Sequence, residues 1–263
     1  MILARFFRFG ALALLVGALA LPIRANAADS SSPAPQSSSA NSSMPKDRAG
    51  LDQAIHDYLM AHPEVVVDAL KAAQQQADAQ AAEQSRRTIS TKHKELFESP
   101  DDLVRGNPKG DVTLVEFFDY RCPYCKQVEP SLDALLKEDG KLRIVYKEFP
   151  ILGEASVYAT RVALAAKKQG KYAEFHRAMM ATKGDIGDEM VLKIATSIGL
   201  DVGKIKTDMS APDIDKLIDT NYALADALNI QGTPAIIVGG TLIPGAVDLD
   251  TLRKNIAAAR SGG

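Results

Sequence analysis

Apolar and polar positions change their period several times along the chain. Gly10 to Leu21 form a short apolar block behind Arg5 and Arg8, with Arg24 beyond it. Ala25-Asn26-Ala27 then places small residues at the −3 and −1 positions, so residues 1–27 read as a secretory signal cleaved near Ala27. The block is too short for a comfortable membrane span, and no cysteine lies near the cleavage site, which excludes a lipoprotein. Residues 28–50 are rich in Ser and Pro, with few apolar groups to offset chain entropy, and predict a flexible linker. From Leu51 the period becomes helical. Leu51, Ile55, Tyr58 and Leu59, then Val66, Leu70 and Ala73, mark one face, and Pro63 breaks and restarts the helix. AAQQQADAQAAEQ continues with good helix formers and almost no large apolar side chain. This arm, 51–99, is either a solvated spacer or, through its Leu51–Leu70 face, an oligomerisation segment.

The texture changes at Asp111. VTLVEFF is a buried strand, the helix that follows runs from about Pro123 to Lys137, and KLRIVYKEF is a second strand. A strand–helix–strand order implies a parallel pair with a crossover. Residues 154 to about 229 are helical in pattern throughout. AIIV, a Gly239-Gly240 turn, TLIPG and a helix from Asp248 to Ala259 close the chain. The expectation is one α/β domain over 100–263, ordered β-α-β, helical insert, β-β-α.

Composition narrows the function classes. With 46% hydrophobic and 24% charged residues, the chain can bury a sizeable core without a metal or disulfide staple. A formal net charge of −2 has none of the basic surplus of a nucleic-acid binder. There are 2 cysteines, Cys122 and Cys125, and the chemistry rests on them.

Cys122-Pro123-Tyr124-Cys125 lies between a buried strand and a helix start. A structural bridge closing so short a loop would contribute only about 2 kcal/mol, against about 4.7 kcal/mol for a hundred-residue loop. A structural zinc site wants four ligands, and His56, His62, His93 and His176 show no ligand spacing. Redox chemistry is the favoured reading. At the helix N-cap, unpaired N–H groups and the helix dipole favour a Cys122 thiolate, and Pro123 suits the first helical position. Cys122 is then the accessible, low-pKa nucleophile and Cys125 the shielded resolving thiol. Glu116, inside an apolar strand, has the burial that would raise its pKa and suit it to exchange a proton with Cys125; Lys147 on the next strand is a candidate counter-charge. Thr233-Pro234 before AIIV is either strand punctuation or a cis bond exposing Thr233 backbone groups to an extended substrate.

EFFDYRCPYCKQVEP resembles the active-site segment of the thioredoxin superfamily, including Lys126 and Pro130. KEFPIL, QGKYAEFH and GTPAIIVGGTLIPGA, with the helical insert, resemble the DsbA family of bacterial periplasmic thiol-disulfide oxidoreductases and its ScsC-like single-CxxC members. The similarity covers roughly 100–260. It implies a thioredoxin fold with an inserted helical domain, Cys122 as nucleophile, Cys125 as resolving cysteine, Glu116 as buried acid, and Pro234 as cis-proline preceded by Thr233. Pro123, Tyr124, Thr233 and Pro234 are the expected substrate-binding positions. CPYC differs from the Cys-Pro-His-Cys of typical DsbA oxidases and is shared with glutaredoxins. Threonine before the cis-proline, and a helical N-terminal arm, are similar to what periplasmic disulfide isomerases carry.

The resulting expectation is a periplasmic enzyme, with no cofactor or bound metal, that forms or isomerises disulfides. Its partners are unfolded or misfolded exported proteins with cysteines and a membrane redox protein, with no nucleic acid; a homo-oligomer, trimer or dimer, would form through 51–97. A Cu(I)-binding thiol chaperone and a glutaredoxin-like reductase are the alternatives, since soft thiolates suit Cu(I).

Overall fold

The structure, a computed structural model, describes residues 47–262. The expected signal sequence and all but the end of the expected linker lie outside the described residues. The chain divides into two units at Met60 and Ala61. In the first, helix α1 (Arg48–Ala61) already begins at Arg48, inside the segment expected to be linker. It buries no residue, and Leu51, Ile55, Tyr58 and Met60 are exposed.

The second unit is built on a five-stranded sheet of β1 (Leu103–Gly106), β2 (Val112–Phe118), β3 (Leu142–Glu148), β4 (Ala235–Val238) and β5 (Thr241–Pro244). Their order is β1-β3-β2-β4-β5. The β2–β3 pair is parallel, as the crossover through α4 (Pro123–Glu138) demands, and the other pairings are antiparallel. Gly239, at φ 58°, supplies the left-handed residue that the β4–β5 turn requires. β2 is central and apolar on both sides, so both faces must be covered. Leu114 and Phe118 on one face pack with Leu132 and Leu135 of α4 and with Leu252 and Ile256 of α10 (Leu249–Arg260). Val115 and Phe117 occupy the other.

Covering that second face shifts the expected boundary at residue 100. Helices α2 (Pro63–Thr91) and α3 (His93–Phe97) contribute Ile89, Leu96 and Phe97 to the cluster around Val115, Phe117, Val145 and Ile237. The end of the expected arm is therefore part of the domain core. Only the beginning of α2 keeps an exposed apolar run, at Val65, Val66, Val67 and Leu70. The edge strand β1, absent from the sequence expectation, pairs Leu103 with Tyr146 and Arg105 with Ile144.

The insert consists of α5 (Glu154–Lys168), α6 (Tyr172–Ala181), α7 (Asp188–Ser197), α8 (Val202–Asp208) and α9 (Pro212–Ala227). It is tied to the sheet by Glu148 at the end of β3, which accepts hydrogen bonds from the hydroxyls of Tyr120 (3.0 Å), Thr160 (2.7 Å) and Tyr172 (2.8 Å). Burial raises the Glu148 pKa to about 8 against the opposing pull of those hydroxyls. Among the described residues, no helix is long and apolar enough to cross a membrane.

Buried Asp119 organises the turn that follows β2. Its carboxylate accepts from the backbone N–H groups of Arg121 (2.8 Å), Ile151 (2.9 Å) and Leu152 (3.0 Å) and from the Ser156 hydroxyl (2.8 Å). Its carbonyl accepts from Cys122 N–H at 3.0 Å. Removing an acceptor shared by the buried Ser156 hydroxyl and three partly buried backbone N–H groups is costly, so Asp119→Ala should lower unfolding stability by about 2–3 kcal/mol, measurable by urea denaturation.

Candidate active site

Helix α4 starts at the C-terminal end of β2, and its first residues carry both cysteines, which are free thiols. Cys122 is the N-cap, with extended backbone angles (φ −72°, ψ 117°), and Pro123 opens the helix where its missing N–H costs nothing. The Cys125 thiol donates to the Cys122 sulfur, and burial opposes this by favouring the neutral form. Thr233 and the backbone N–H groups of Cys125 and Tyr124 add to the stabilisation, and together these lower the Cys122 pKa to about 6. As a neutral thiol, Cys122 donates to the Thr233 carbonyl at 3.1 Å. Cys125 moves in the opposite direction, raised first by burial and then by its hydrogen bond to Cys122. A low-pKa thiol one helical turn from a high-pKa one is the asymmetry that thiol–disulfide exchange uses.

One expectation needs correction. Cys122 is not openly accessible: 4% of its surface is exposed, against 0% for Cys125. Both thiols are thus closed to bulk solvent, and they differ in which effect leads: burial raises Cys125, whereas hydrogen bonds lower Cys122. Because folding lowers its pKa, the Cys122 thiolate stabilises the reduced fold fully above the ordinary thiol pKa, and that contribution is lost as pH falls through about 6.

Strand parity places Glu116 beneath α4. It alternates with Leu114 and Phe118 on the α4 face, is fully buried, and neither carboxyl oxygen has a hydrogen-bond partner. Burial, then the charges of Glu129 and Cys122, hold its pKa well above the usual carboxylate value; Arg105 pulls the other way. Arg105 is engaged elsewhere, donating to Glu129 at 2.5 Å, to the Tyr146 hydroxyl at 3.1 Å and to Asp133. Burial also holds the His176 pKa below its usual value, with His176 Nε2 lying 3.7 Å from Glu129. Sequence reasoning missed Arg105, Glu129 and His176. Glu129 was within reach, since it follows Cys125 by four residues and so shares its helix face. Arg105 rides on the strand that was not foreseen.

Lys147 is not the counter-charge of Glu116. In the β2–β3 register it aligns with Phe117, whereas Glu116 aligns with Tyr146, so Lys147 points to the opposite face of the sheet. There it forms a buried ion pair with Asp102 at 2.5 Å and donates to the Glu95 carbonyl. Around the cysteines, Tyr124 is exposed and Thr233–Pro234 is a cis peptide bond immediately before β4. Cys122, Pro123, Tyr124, Cys125, Glu116, Thr233 and Pro234 thus come together, and Lys147 does not.

A dithiol at the start of the helix between two parallel strands, facing a cis-proline loop, defines a thioredoxin fold. The DSBA-like thioredoxin domain family matches residues 113–257, and the chain belongs to that family. Residues 47–80 match a second family, the copper resistance protein ScsC N-terminal domain. Among solved structures, a thioredoxin-like oxidoreductase from Silicibacter pomeroyi DSS-3 is 44% identical, covering 65% of this chain and 98% of its own, with a TM-score of 0.63. The catalytic domain of Proteus mirabilis ScsC is 28% identical, covering 67% and 98%, with a TM-score of 0.61. Among curated relatives, a Na(+)/H(+) antiporter NhaA 1 from Salinispora arenicola is 30% identical over 166 residues, 62% of this chain but 26% of that protein. The chain thus spans about a quarter of the length of the first curated relatives it matches.

The site geometry predicts which thiol reacts first. Iodoacetamide added to the reduced protein should modify Cys122 before Cys125, with a rate that rises through a midpoint near pH 6. Peptide mapping that found Cys125 labelled first would reverse the assignment.

Proposed function

We propose that the chain is a protein thiol-disulfide oxidoreductase acting on exported proteins in the periplasm through a Cys122–Cys125 pair. The observation that carries this reading is the opposed displacement of two adjacent thiols, Cys122 down and Cys125 up, above an unpartnered acid. The family membership supports it. No cofactor enters the reaction, because two sulfur atoms carry both electrons.

In the oxidising direction a client thiolate attacks Cys122 Sγ, the Cys122–Cys125 bond breaks, and a client–Cys122 mixed disulfide forms. The electron pair leaves on Cys125, whose high pKa demands a proton; Glu116, held protonated by burial, is the donor. A second client thiolate then attacks the client sulfur of the mixed disulfide and expels the Cys122 thiolate, a good leaving group because its pKa is low. The client loses two electrons and two protons, and the enzyme becomes a dithiol that a membrane redox partner reoxidises. In isomerisation the expelled Cys122 thiolate attacks a wrong client disulfide, and rearrangement returns it unchanged. The Thr233 backbone beside Cys122 offers an extended client main-chain pairing, with Pro123 and Tyr124 at the same rim.

Glu116→Gln should leave the fold intact and slow mixed-disulfide turnover by about a hundredfold, the lower end of what general acid–base catalysis contributes, as followed by quenched-flow mass spectrometry on a model peptide. Equal kinetics for the two proteins would remove Glu116 from the mechanism. Refolding of reduced against scrambled ribonuclease separates oxidase from isomerase.

The exposed apolar residues Leu51, Ile55, Val66 and Leu70 favour assembly of several copies through the N-terminal helices. Each large aliphatic side chain so buried is worth about 1.5–3 kcal/mol before association costs. The chain lacking residues 1–27 should scatter light as an oligomer, trimer or dimer. Ile55→Glu with Leu70→Glu should return a monomer that oxidises dithiols but isomerises poorly. A monomeric parent at micromolar concentration would contradict this.

A second reading, Cu(I) binding by the two thiolates, is favoured by the ScsC description of the family matched at 47–80. Competition titration with a Cu(I) chelator tests it: binding lost in Cys122→Ser would support a copper chaperone.

A further inference from the structure

A cleft of about 650 Å³ opens beside the reactive turn, between the start of α4 and the end of α6 with the loop after it. It is bounded by Arg121 and Pro123, the residues on either side of Cys122 in the chain. Four cationic side chains line it: Arg121, Lys126, Arg177 and Lys183. Two of them are partly engaged. Arg121 donates to the Leu152 carbonyl at 2.9 Å and to Asp185 at 2.8 Å, while its buried Nε–H has no hydrogen-bond partner. Lys126 donates to the Thr182 carbonyl at 2.5 Å, and the one opposite charge that acts on it is that of Asp119.

Arg177 and Lys183 are exposed, and neither forms an ion pair among the described residues. The cleft also has two acids in its lining, Glu129 and Asp133, which share the single cation Arg105, so that one negative charge remains against the four cationic side chains. Positive charge is therefore in excess next to the sulfur that a client must reach, in a protein whose overall charge is slightly negative. An excess confined to one cleft attracts an oppositely charged ligand and speeds its encounter.

We infer that this basic cleft is a client subsite for acidic side chains, selecting polypeptides with Asp or Glu within about three residues of the reacting cysteine. The reach follows from an extended chain, which advances about 3.3–3.6 Å per residue and so spans roughly 10 Å over three residues. The inference rests on the proposed oxidoreductase reading and supplies its substrate preference. Arg177 and Lys183 act as specificity determinants at the rim; the sulfur chemistry at Cys122 and Cys125 is unchanged.

The test uses the oxidised full-length protein without residues 1–27 and three single-cysteine peptides: two acidic ones, with Asp-Glu either before or after the cysteine, and one with Ser-Gln at both places. Rates of mixed-disulfide formation are compared at equal peptide thiolate concentration, which removes the effect of neighbouring acids on the peptide thiol. At low ionic strength one acidic peptide should react about 5–10-fold faster than the neutral one, and the ratio should fall below about 2 near 0.5 M salt, where charges are screened beyond a few ångströms. The double variant Arg177→Glu/Lys183→Glu, and the milder Arg177→Gln/Lys183→Gln, should bring the ratio to about 1 or below. A ratio near 1 in the unmodified protein, or a ratio that both double variants leave unaltered, would overturn the subsite while the oxidoreductase reading stands. No reaction with any of the three peptides would overturn that reading, and the subsite with it.

Discussion

The reactive end of this molecule depends on a carboxyl group that has nothing to pair with. Glu116 sits on the central strand of the sheet, wholly buried under α4, and neither of its oxygens finds a donor. A buried acid in that position is stable only as the neutral form. Above it the two thiols divide proton and charge unequally. Burial is the first reason that Cys125 keeps its proton, which it can donate to Cys122. The Cys122 sulfur, collecting that hydrogen bond and the N–H groups at the helix start, becomes the site where negative charge is tolerated. On the proposed reading, the same acid then delivers the proton that Cys125 needs when the disulfide opens.

Much of this was legible in the sequence because it is local. The N-cap position of Cys122, the Pro123 start, the hairpin at Gly239-Gly240 and the isolated carboxyl in VTLVEFF follow from spacing and elementary propensities over a few residues. What escaped was non-local. Lys147 looks like a partner for Glu116 until the β2–β3 register assigns the two side chains to opposite faces. Counting parity from Leu114 and Phe118 on one strand cannot settle which face the next strand's lysine takes without that register. Arg105 was invisible for the same reason, since β1 is only four residues long and is defined by its antiparallel pairing with β3.

The boundary of the thioredoxin-fold domain has a related origin. Polar composition made 51–99 look like a separate arm, yet a three-layer α/β unit must cover both faces of a central strand that is apolar on each. Ile89, Leu96 and Phe97 are few, but they sit at the end of that segment and close over Val115 and Phe117. The apolar positions before them, from Leu51 to Leu70, lie outside that core and remain exposed. One helical stretch thus contains a structural end and a surface end, and overall composition does not separate them. The residues matched by the ScsC N-terminal family, 47–80, fall on the surface end.

The central claim is that the two thiols of one short motif are driven apart in acidity by where the helix begins and by what lies beneath it. Ultraviolet titration of thiolate absorbance in the reduced protein tests it directly, with Cys125→Ala as the comparison. The account predicts a single thiolate appearing with a midpoint near pH 6 in the parent protein, with no second thiolate before the alkaline range in which the fold itself is at risk. In Cys125→Ala that midpoint should move upward, because the hydrogen bond contributing most to Cys122 acidity is gone. Two thiolates appearing together near the ordinary cysteine pKa, or a Cys122 midpoint unmoved by loss of Cys125, would contradict it.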